Sequence, residues 1–327
     1  MNWTPHCTRV ELAQNPLCSH DIEFMTLGSC FSEHIGQRLL DYKWQGMCNP
    51  FGTLFHPLSI FELLRLSLSE QELRADGFVE YDETVFHFDL PKLFFAETPE
   101  KLQAKFAEVG RAVRSHLQAP SCLFVTLGTA QVFEDQQTGA LVANCHSQNP
   151  ARFRKRLLRL EEIEAAWQEL SKLLGESHQV IWTLSPVRHV RETLTQNAVS
   201  KSLLRVWLHE RIAAAKGREH YFPAFEIMVD QLRDYRYYAE DLIHPNAVAV
   251  DCLWEAFLFS FVDARAQDFC RVWSKLRKRL QHRPLRPEAQ SSVAFLQETL
   301  KQLQALKGVD VSDEIALVQD QLSCSGS

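Results

Sequence analysis

The stretch IEFMTLGSC, residues 22–30, sets the pattern that decides the fold. Its first six residues are mostly apolar without clean alternation, and they end in Thr-Leu before a glycine. The same pattern returns at residues 122–128 (CLFVTLG) and 179–185 (QVIWTLS). Apolar strands without alternation are typical of a sheet that is covered by helices on both faces. We therefore predict three buried strands of a parallel sheet, at residues 22–27, 122–127 and 179–184.

Helix-like stretches lie between and after these strands, for example at residues 31–40, 99–117, 161–174 and 246–262. The last is amphipathic, with apolar side chains at three- and four-residue spacing. A repeated order of strand, small-residue turn and helix predicts an α/β sheet with right-handed crossovers. In such sheets the functional site lies at the carboxyl ends of the strands, which here are followed by Gly28, Gly128 and Ser185.

The composition narrows the class of protein. The 327 residues are 46% hydrophobic and 23% charged, with a net charge of −6, so we expect a globular protein without attraction to nucleic acid or to an acidic membrane surface. No secretory signal is visible at the start, and the most apolar window, residues 252–262, is too short to cross a bilayer. Nine scattered cysteines without CxxC spacing argue against disulfides or a zinc site. We expect a cytoplasmic protein with reduced thiols.

The chain divides by composition near residue 262. Residues 1–262 carry the α/β pattern, whereas residues 263–327 form a polar, partly basic extension with helical character. We expect this C-terminal extension to pack as helices against the α/β domain or against a second copy in a homo-oligomer. Its basic run at residues 275–279 is interpreted as a solvated helix face, with contact to an acidic partner as the alternative.

The first candidate for chemistry is Gly28-Ser29-Cys30, between a predicted strand and a predicted helix. A glycine turn would present Ser29 and Cys30 at the helix N-terminus, where backbone N–H groups and the helix dipole favour an anion and lower the pKa of a thiol. The alternative is a cysteine buried for packing alone.

The second candidate is the segment DLIHPN, residues 241–246. Asp241, three residues before His244, is able to accept a hydrogen bond from one ring nitrogen and so leave the other as a base. The alternative is a helix-capping loop with a surface histidine.

Further polar residues fall in loop-like segments at the same predicted edge. Glycines there allow backbone donors to approach an oxyanion, and amides, imidazoles and a guanidinium add side-chain donors. For each residue singly, turn chemistry or core hydrogen bonding is the alternative. These residues are Asn49 and Gly52 in NPFG, Gly128, Asn144 and His146 in NCH, and Arg188 and His189 in SPVRH.

Together these motifs resemble the GSCFA family. The resemblance begins at GSCFS (28–32) and continues in order through NPFGTLFHPLSI (49–60), LGTAQVF (127–133), NCH (144–146), SPVRH (185–189), NAVSKSLL (197–204) and the segment 221–250 that contains DLIHPNAVAV. It covers about residues 1–262 and leaves the extension outside. The family is grouped with the SGNH or GDSL-like hydrolases, so the resemblance implies a flavodoxin-like three-layer sandwich.

The resemblance also implies roles for individual residues. Cys30 stands where the GDSL pattern has its nucleophilic serine, Ser29 stands where that pattern has Asp, and Asp241 and His244 match its terminal Asp and His. Gly52 matches the second-block glycine. The third-block Gly-x-Asn-Asp is replaced by Gly128-Thr129-Ala130-Gln131, so an oxyanion donor is expected from Gln131, Asn144 or Asn49.

We therefore predict acyl transfer or ester hydrolysis on a small-molecule or glycan acyl substrate, without cofactor or metal. Cys30 is the expected nucleophile, with Ser29 as the fallback, and His244 oriented by Asp241 is the base. One alternative is a non-catalytic binding module on the same fold. The other is a metal-dependent hydrolase that uses His146, His189, His244 and Asp241.

Overall fold

A five-stranded parallel sheet forms the centre of the computed structural model, which describes residues 8–190, 193–283 and 289–325. The strands are β1 (Glu23–Gly28), β2 (Gly46–Thr53), β3 (Phe78–Tyr81), β4 (Thr84–His87), β5 (Ser121–Leu127), β6 (Gln131–Asp135), β7 (Leu141–Val142), β8 (Phe153–Leu157), β9 (Gln179–Leu184) and β10 (Glu219–Tyr221). The central sheet has the order β10-β9-β5-β1-β2, which is the flavodoxin-like order 2-1-3-4-5. The predicted strands β1, β5 and β9 are confirmed to within one residue at each end.

Helices cover both faces of this sheet. The α-helices of the described residues are α1 (Cys30–Asp41), α2 (Pro57–Leu68), α3 (Pro99–His116), α4 (Leu160–Leu174), α5 (Leu194–Ala214), α6 (Ala224–Glu226), α7 (Ala247–Phe261), α8 (Ala264–Leu280), α9 (Gln290–Gln304) and α10 (Ser312–Ser325), of which α9 and α10 lie outside the layers that cover the sheet. Met25 and Leu27 pack against α2 to α5 on one face, and Phe24 packs against α1 and α7 on the other. Burial on both faces explains why these strands do not alternate, and the three-layer α/β sandwich is the predicted fold.

Two smaller sheets flank the central one. β3 and β4 form an antiparallel hairpin, and β6 pairs antiparallel with both β7 and β8. Both lie in chain insertions between the parallel strands. The segments 77–91 and 131–157 therefore build local structure on the side of α2 and α3 rather than extending the central sheet.

The NPFG segment, residues 49–52, differs from its loop-like prediction because it lies inside β2. Thr26 is paired with Cys48 and Gly28 with Thr53, so these four residues bulge opposite Leu27 alone. Asn49 and Gly52 have positive φ angles, 43° and 74°. Turn-like residues are thus used to make a bulge at the carboxyl end of the sheet.

The C-terminal extension is helical, as predicted, and contacts the end of α1. Helices α8 to α10 bury their own apolar cluster, which includes Trp273 and Leu276. The Trp273 indole donates to the Asp41 carbonyl at 2.8 Å, and Lys43 pairs with Glu314 at 2.8 Å. Within the described ranges, no helix has both the length and the apolar character needed to cross a membrane.

The basic run in α8 is only half solvated. Lys275 and Lys278 are exposed. Arg277, by contrast, pairs with Asp41 at 2.8 Å, and Arg279 donates to the Thr299 hydroxyl at 2.9 Å. Two of the four cations therefore make structural contacts, one with α1 and one within the extension. The interpretation of the run as a solvated helix face does not include these contacts.

Gly28 ends β1 with a backbone that only glycine adopts easily. Its φ is +119°, and a Cβ there would lie 2.1 Å from the Thr126 carbonyl oxygen of β5. The missing side chain lets the Ser29 N–H donate to that same oxygen at 3.3 Å, so the chain leaves the sheet at this point. The direction in which α1 begins depends on this approach.

We expect Gly28→Ala to destabilise the protein by about 3 kcal/mol or more, because it adds a steric clash to an unfavourable φ. Gly139→Ala is the matched control, since its φ is +74° but a Cβ there meets nothing within 4 Å. The control should cost about 1 kcal/mol from backbone strain alone. Urea unfolding at equilibrium measures both, and equal losses would contradict the role of the Thr126 approach.

Candidate active site

The turn after β1 places Ser29 and Cys30 at the start of α1, as predicted. Ser29 is the N-cap: its hydroxyl accepts from the Phe31 N–H at 3.3 Å, and the residue is 1% exposed. Cys30 is the first residue of the helix and is half-buried. The Ser29 hydroxyl is therefore engaged and out of contact with solvent, whereas Cys30 is partly accessible.

Asn49 braces this turn from the bulge in β2. The Ser32 hydroxyl lies 2.5 Å from the Ser29 carbonyl oxygen and 2.9 Å from Asn49 Oδ1. The Asn49 amide nitrogen lies 3.5 Å from the Ser29 carbonyl, which is long for a hydrogen bond. The Asn49 side chain thus faces the turn before Cys30. Its amide oxygen is well bound, whereas its amide nitrogen is held only loosely.

The hydrogen bond predicted by the Asp-x-x-His spacing is present. His244 Nδ1 lies 2.6 Å from Asp241 Oδ2, while Asp241 Oδ1 accepts from the Ile243 and His244 N–H groups at 2.9 and 3.0 Å. These donors, the His244 N–H first and then its imidazole, lower the pKa of Asp241 to about 2. The carboxylate is therefore ionised throughout the neutral range and directs the other ring nitrogen outward as an acceptor.

Arg188, from the end of β9, holds the loop that carries His244. Its N–H donates to the Ile243 carbonyl at 3.3 Å, and its guanidinium lies 3.5 Å from the Leu242 carbonyl. The same guanidinium stacks over the Tyr238 ring at 4.1 Å. Arg188 is thus brought to the predicted edge, where it braces the loop rather than pointing to Cys30.

His244 is near enough to α1 to interact electrostatically with His34. His34, one turn after Cys30, has its pKa lowered mainly by burial, and the charge of His244 contributes to the same shift. Across the described part of the chain, however, no hydrogen bond joins the Cys30 thiol to the His244 imidazole. The two groups lie at the same carboxyl edge of the central sheet but are not hydrogen-bonded to each other.

The pKa of the Cys30 thiol is raised, whereas the sequence analysis predicts that it is lowered. Burial raises it above its ordinary value, and Glu33 adds to the rise, while the Cys30 and Phe31 N–H groups and Lys201 oppose it. We predicted a lowered pKa from the helix N-terminus alone, and this is wrong for the free protein because desolvation of the thiolate outweighs those donors. Cys30 is therefore a neutral thiol at neutral pH.

Lys201 is a buried charged residue at the end of β9 that the sequence analysis missed. It lies on α5, is 2% exposed, and its Nζ donates to the Ser185 carbonyl at 2.7 Å. Burial lowers its pKa to about 7. The sequence held a signal: Lys201 shares the apolar face of its helix with Leu204 and Leu208, at spacings of three and seven residues.

The structure uses Gly128 differently from the prediction. Its N–H donates to the Phe55 carbonyl at 2.8 Å and is not available to an oxyanion. A Cβ on Gly128 would lie 2.9 Å from that same oxygen. Gln131 begins β6, where its N–H donates to the Thr129 hydroxyl at 3.0 Å. Gly52 lies in the bulge of β2, and a Cβ added to it would lie 3.2 Å from Pro91.

Asn144 and His146 hold the hairpin loop rather than the Cys30 turn. His146 Nε2 lies 2.8 and 3.0 Å from the His87 and Leu90 carbonyl oxygens, and its ring stacks on Phe86. Asn144 Oδ1 accepts from the His146 N–H at 2.9 Å. Both side chains hold the loop that reaches Gly52 through Pro91, and their role as oxyanion donors stays a prediction.

The described residues provide no cluster of metal ligands for the metal-dependent alternative. In residues 8–190, 193–283 and 289–325, no three His, Cys, Asp or Glu side chains gather into a metal-binding group. His146 is bound to backbone carbonyls, and the His189 ring packs edge-on against Phe55 at 5.3 Å. Of the four ligands that this alternative named, only Asp241 and His244 are in contact.

Fold and site together define an α/β protein with a cysteine and an Asp–His pair at the carboxyl edge of a flavodoxin-like sheet. The model of the GSCFA family matches residues 23–257, and the chain belongs to that family. A second model, described as GSCFA domain protein, C-terminal domain, matches residues 273–323. No curated protein matches the chain.

The second match corrects the extent of the resemblance. The C-terminal extension was expected to lie outside it, but α8 from residue 273, α9 and most of α10 match a domain model of the same family. The motifs named above all precede residue 262, so the extension carries no short motif that would have shown this.

We expect Cys30 to react with iodoacetamide faster than Cys122 or Cys270, because only Cys30 of the three is partly exposed. Burial also raises the pKa of Cys270 to about 12. Since the Cys30 pKa is raised too, its rate should climb about tenfold per pH unit from pH 7 to pH 9. Peptide mapping of the label measures each cysteine, and a Cys30 rate that levels off below about pH 8 would contradict the raised pKa.

Proposed function

We propose that the protein transfers or hydrolyses acyl groups through a covalent acyl-enzyme on Cys30. The observation that carries the proposal is the Asp241–His244 hydrogen bond of 2.6 Å, in a loop that Arg188 holds at the carboxyl edge of the sheet, where α1 also begins with Cys30. A nucleophile, a base and a carboxylate that orients the base form the arrangement used for acyl transfer on unrelated folds. Membership of the SGNH or GDSL-like hydrolases, implied by the sequence resemblance, belongs to this proposal.

The first step needs a base because the Cys30 thiol is neutral. His244 Nδ1 donates to Asp241, so the neutral ring carries an unprotonated Nε2. Nε2 takes the thiol proton as Sγ bonds to the acyl carbonyl carbon. When the tetrahedral intermediate collapses, the leaving group takes that proton from His244 and an acyl thioester remains on Cys30. Substrate binding must bring the two side chains into contact.

The second step releases the acyl group. Water, or the hydroxyl of an acceptor, gives its proton to His244 and attacks the thioester carbon. When the tetrahedral intermediate collapses, Cys30 leaves and takes that proton back from His244, so the thiol and the neutral imidazole are restored. Thioesters exchange readily with other acceptors, so acyl transfer and hydrolysis are both within the proposal.

The oxyanion is stabilised by donors at the start of α1. The Cys30 N–H lies at the helix N-terminus, where it already lowers the pKa of the thiol. The loosely held Asn49 amide and the Gly52 backbone in the facing bulge are the further donors we propose. Gly128 has no place in this set, since its N–H is bound to Phe55.

Apolar side chains around these groups favour an acyl part that is at least partly apolar. Phe55 is 41% exposed next to His189, Leu242 is 51% exposed in the loop of His244, and Leu93 is 77% exposed beside Gly52. Exposed apolar residues grouped near polar reactive groups are typical of ligand sites. A small-molecule or glycan ester with an apolar acyl group is the substrate class we propose.

One observation favours a second candidate function, a non-catalytic binding module. Cys30 and His244 make no hydrogen bond to each other in the described ranges, and burial keeps the thiol protonated. On that candidate the apolar side chains hold a ligand and no acyl-enzyme forms. The two functions differ in whether Cys30 becomes acylated.

We expect p-nitrophenyl acetate and p-nitrophenyl butyrate to acylate Cys30, as detected by mass spectrometry of the intact protein and its peptides. Cys30→Ala should abolish the adduct, and His244→Ala should slow acylation by about 10²- to 10⁴-fold, the usual contribution of a general base. Asp241→Asn should slow acylation less than His244→Ala does, because the Asp241 carboxylate orients the base and does not itself take the thiol proton.

Ser29→Ala is the matched control. It removes the N-cap and should cost about 0.5–2 kcal/mol of stability while leaving the adduct on Cys30. If Ser29→Ala stops ester turnover and Cys30→Ala does not, the nucleophile is Ser29. If the esters bind without any adduct, the binding module replaces the enzyme.

A further inference from the structure

A cavity of about 500 Å³ lies between α5 and α6, next to the end of β9. Its volume is in the range that is typical of small-molecule sites. Neither Cys30 nor His244 is among the residues that line it, so the cavity lies outside the candidate active site. Polar and apolar side chains both contribute to its walls, and they include Leu184, Lys201, Arg205, His209, Phe225 and Glu226.

Three basic residues form one stripe of α5 along this cavity. Lys201, Arg205 and His209 recur every four residues, so they lie one above another on the same face of the helix. Lys201 is buried, Arg205 is half-buried and His209 is exposed, so the stripe runs from the floor of the cavity to its mouth. Like charges at this spacing repel each other and destabilise a helix, so helix formation does not account for the stripe.

Lys201 is buried at the floor without an acidic partner. It is 2% exposed, its Nζ donates to the Ser185 carbonyl at 2.7 Å, and the centre of the Phe225 ring lies 5.6 Å from Nζ. Among the described residues, no carboxylate and no second hydrogen-bond acceptor reaches this nitrogen. Burying an unpaired charge is costly, and burial lowers the pKa of Lys201 to about 7. An anion in the cavity would supply the missing partner and favour the charged form.

Arg205 has a guanidinium that is fixed in place but only partly used. Its Nε donates to Glu226 at 3.2 Å, and the group stacks over the Tyr221 ring at 4.2 Å. The Tyr221 hydroxyl also donates to the Glu226 carboxylate at 2.8 Å, so Glu226 is held by two donors. Across the described part of the chain, the two Nη atoms of Arg205 make no hydrogen bond. They are therefore donors for a ligand, in the planar arrangement that suits a carboxylate.

We propose that this cavity binds a small organic acid, whose carboxylate contacts Lys201 and Arg205 and whose apolar part packs against Leu184 and Phe225. With Lys201 charged, two cations and the Glu226 carboxylate give the lining a net charge of about +1. Because Glu226 repels further negative charge, that lining suits one carboxylate better than a doubly charged phosphate ester. The inference does not rest on the proposed function, since the cavity lies outside the candidate active site.

The test measures benzoate binding to the full chain by isothermal titration calorimetry at about pH 6.5, where most of Lys201 is charged. Benzoate carries one carboxylate on an apolar ring, and we expect it to bind with a millimolar dissociation constant. Benzyl alcohol has the same ring without the charge and should bind about tenfold more weakly or worse, because charge-assisted hydrogen bonds are lost. Phenyl phosphate should also bind more weakly than benzoate.

Two substitutions in the lining should change the affinity for benzoate in opposite directions. Lys201→Met removes the ammonium at similar side-chain length and should weaken benzoate binding about tenfold, while binding of benzyl alcohol stays the same. Glu226→Gln removes the negative charge but keeps an oxygen for the Tyr221 hydroxyl, and it should strengthen benzoate binding about threefold. Opposite changes separate charge from structure, because damage to the fold would weaken binding in both variants.

Lys172→Met is the matched control, since Lys172 is an exposed lysine of α4 that does not line the cavity. It should leave the affinity for benzoate within about twofold of the wild type. The inference is overturned if benzoate does not bind, if benzyl alcohol binds as tightly, or if Lys201→Met and Glu226→Gln change the affinity in the same direction. If Lys201→Met does not fold, the direction of the Glu226→Gln change decides. Tighter binding of phenyl phosphate than of benzoate would overturn the assignment of a single carboxylate.

Discussion

The approach of the Gly28 backbone to the Thr126 carbonyl oxygen is the contact on which the candidate site depends. It allows β1 to end against β5 and lets the Ser29 N–H reach the same oxygen. With Ser29 fixed as the N-cap, Cys30 becomes the first residue of α1. A side chain at position 28 would push the turn away from the sheet, and with it the start of α1 and Cys30.

The pKa values of the ionisable groups at this edge of the sheet depend on how far each group is buried. Desolvation raises the pKa of Cys30 and lowers that of Lys201, so both groups are held near neutrality when the site is empty. Asp241 is different: it is exposed and accepts three hydrogen bonds, which lower its pKa to about 2, so it stays ionised. An exposed Asp–His pair and a half-buried neutral thiol thus lie at the same edge of the sheet, and the proposed proton transfer needs a substrate to bring them together.

Many of the predicted site residues turn out to serve the geometry of others. Arg188 braces the His244 loop, Asn144 and His146 hold the loop next to Gly52, and Gly128 is bound to Phe55. All of them were identified from turn-like or polar segments near strand ends, a pattern that catalytic and bracing residues share. Hydrogen-bond partners distinguish the two, and they come from segments far away in the chain.

The sequence by itself determined the α/β class, three of the five central strands and the local Asp241–His244 pairing, because each follows from short-range periodicity or spacing. It also placed Cys30 at the start of a helix, since a strand, a glycine and a helix are consecutive there. Only the tertiary structure decided the strand order, the bulge inside β2 and the raised pKa of Cys30, because each depends on which segments cover the turn. Lys201 shows the same limit: the apolar face of α5 marks it as buried, but only the tertiary structure brings its ammonium nitrogen to the Ser185 carbonyl at the end of β9.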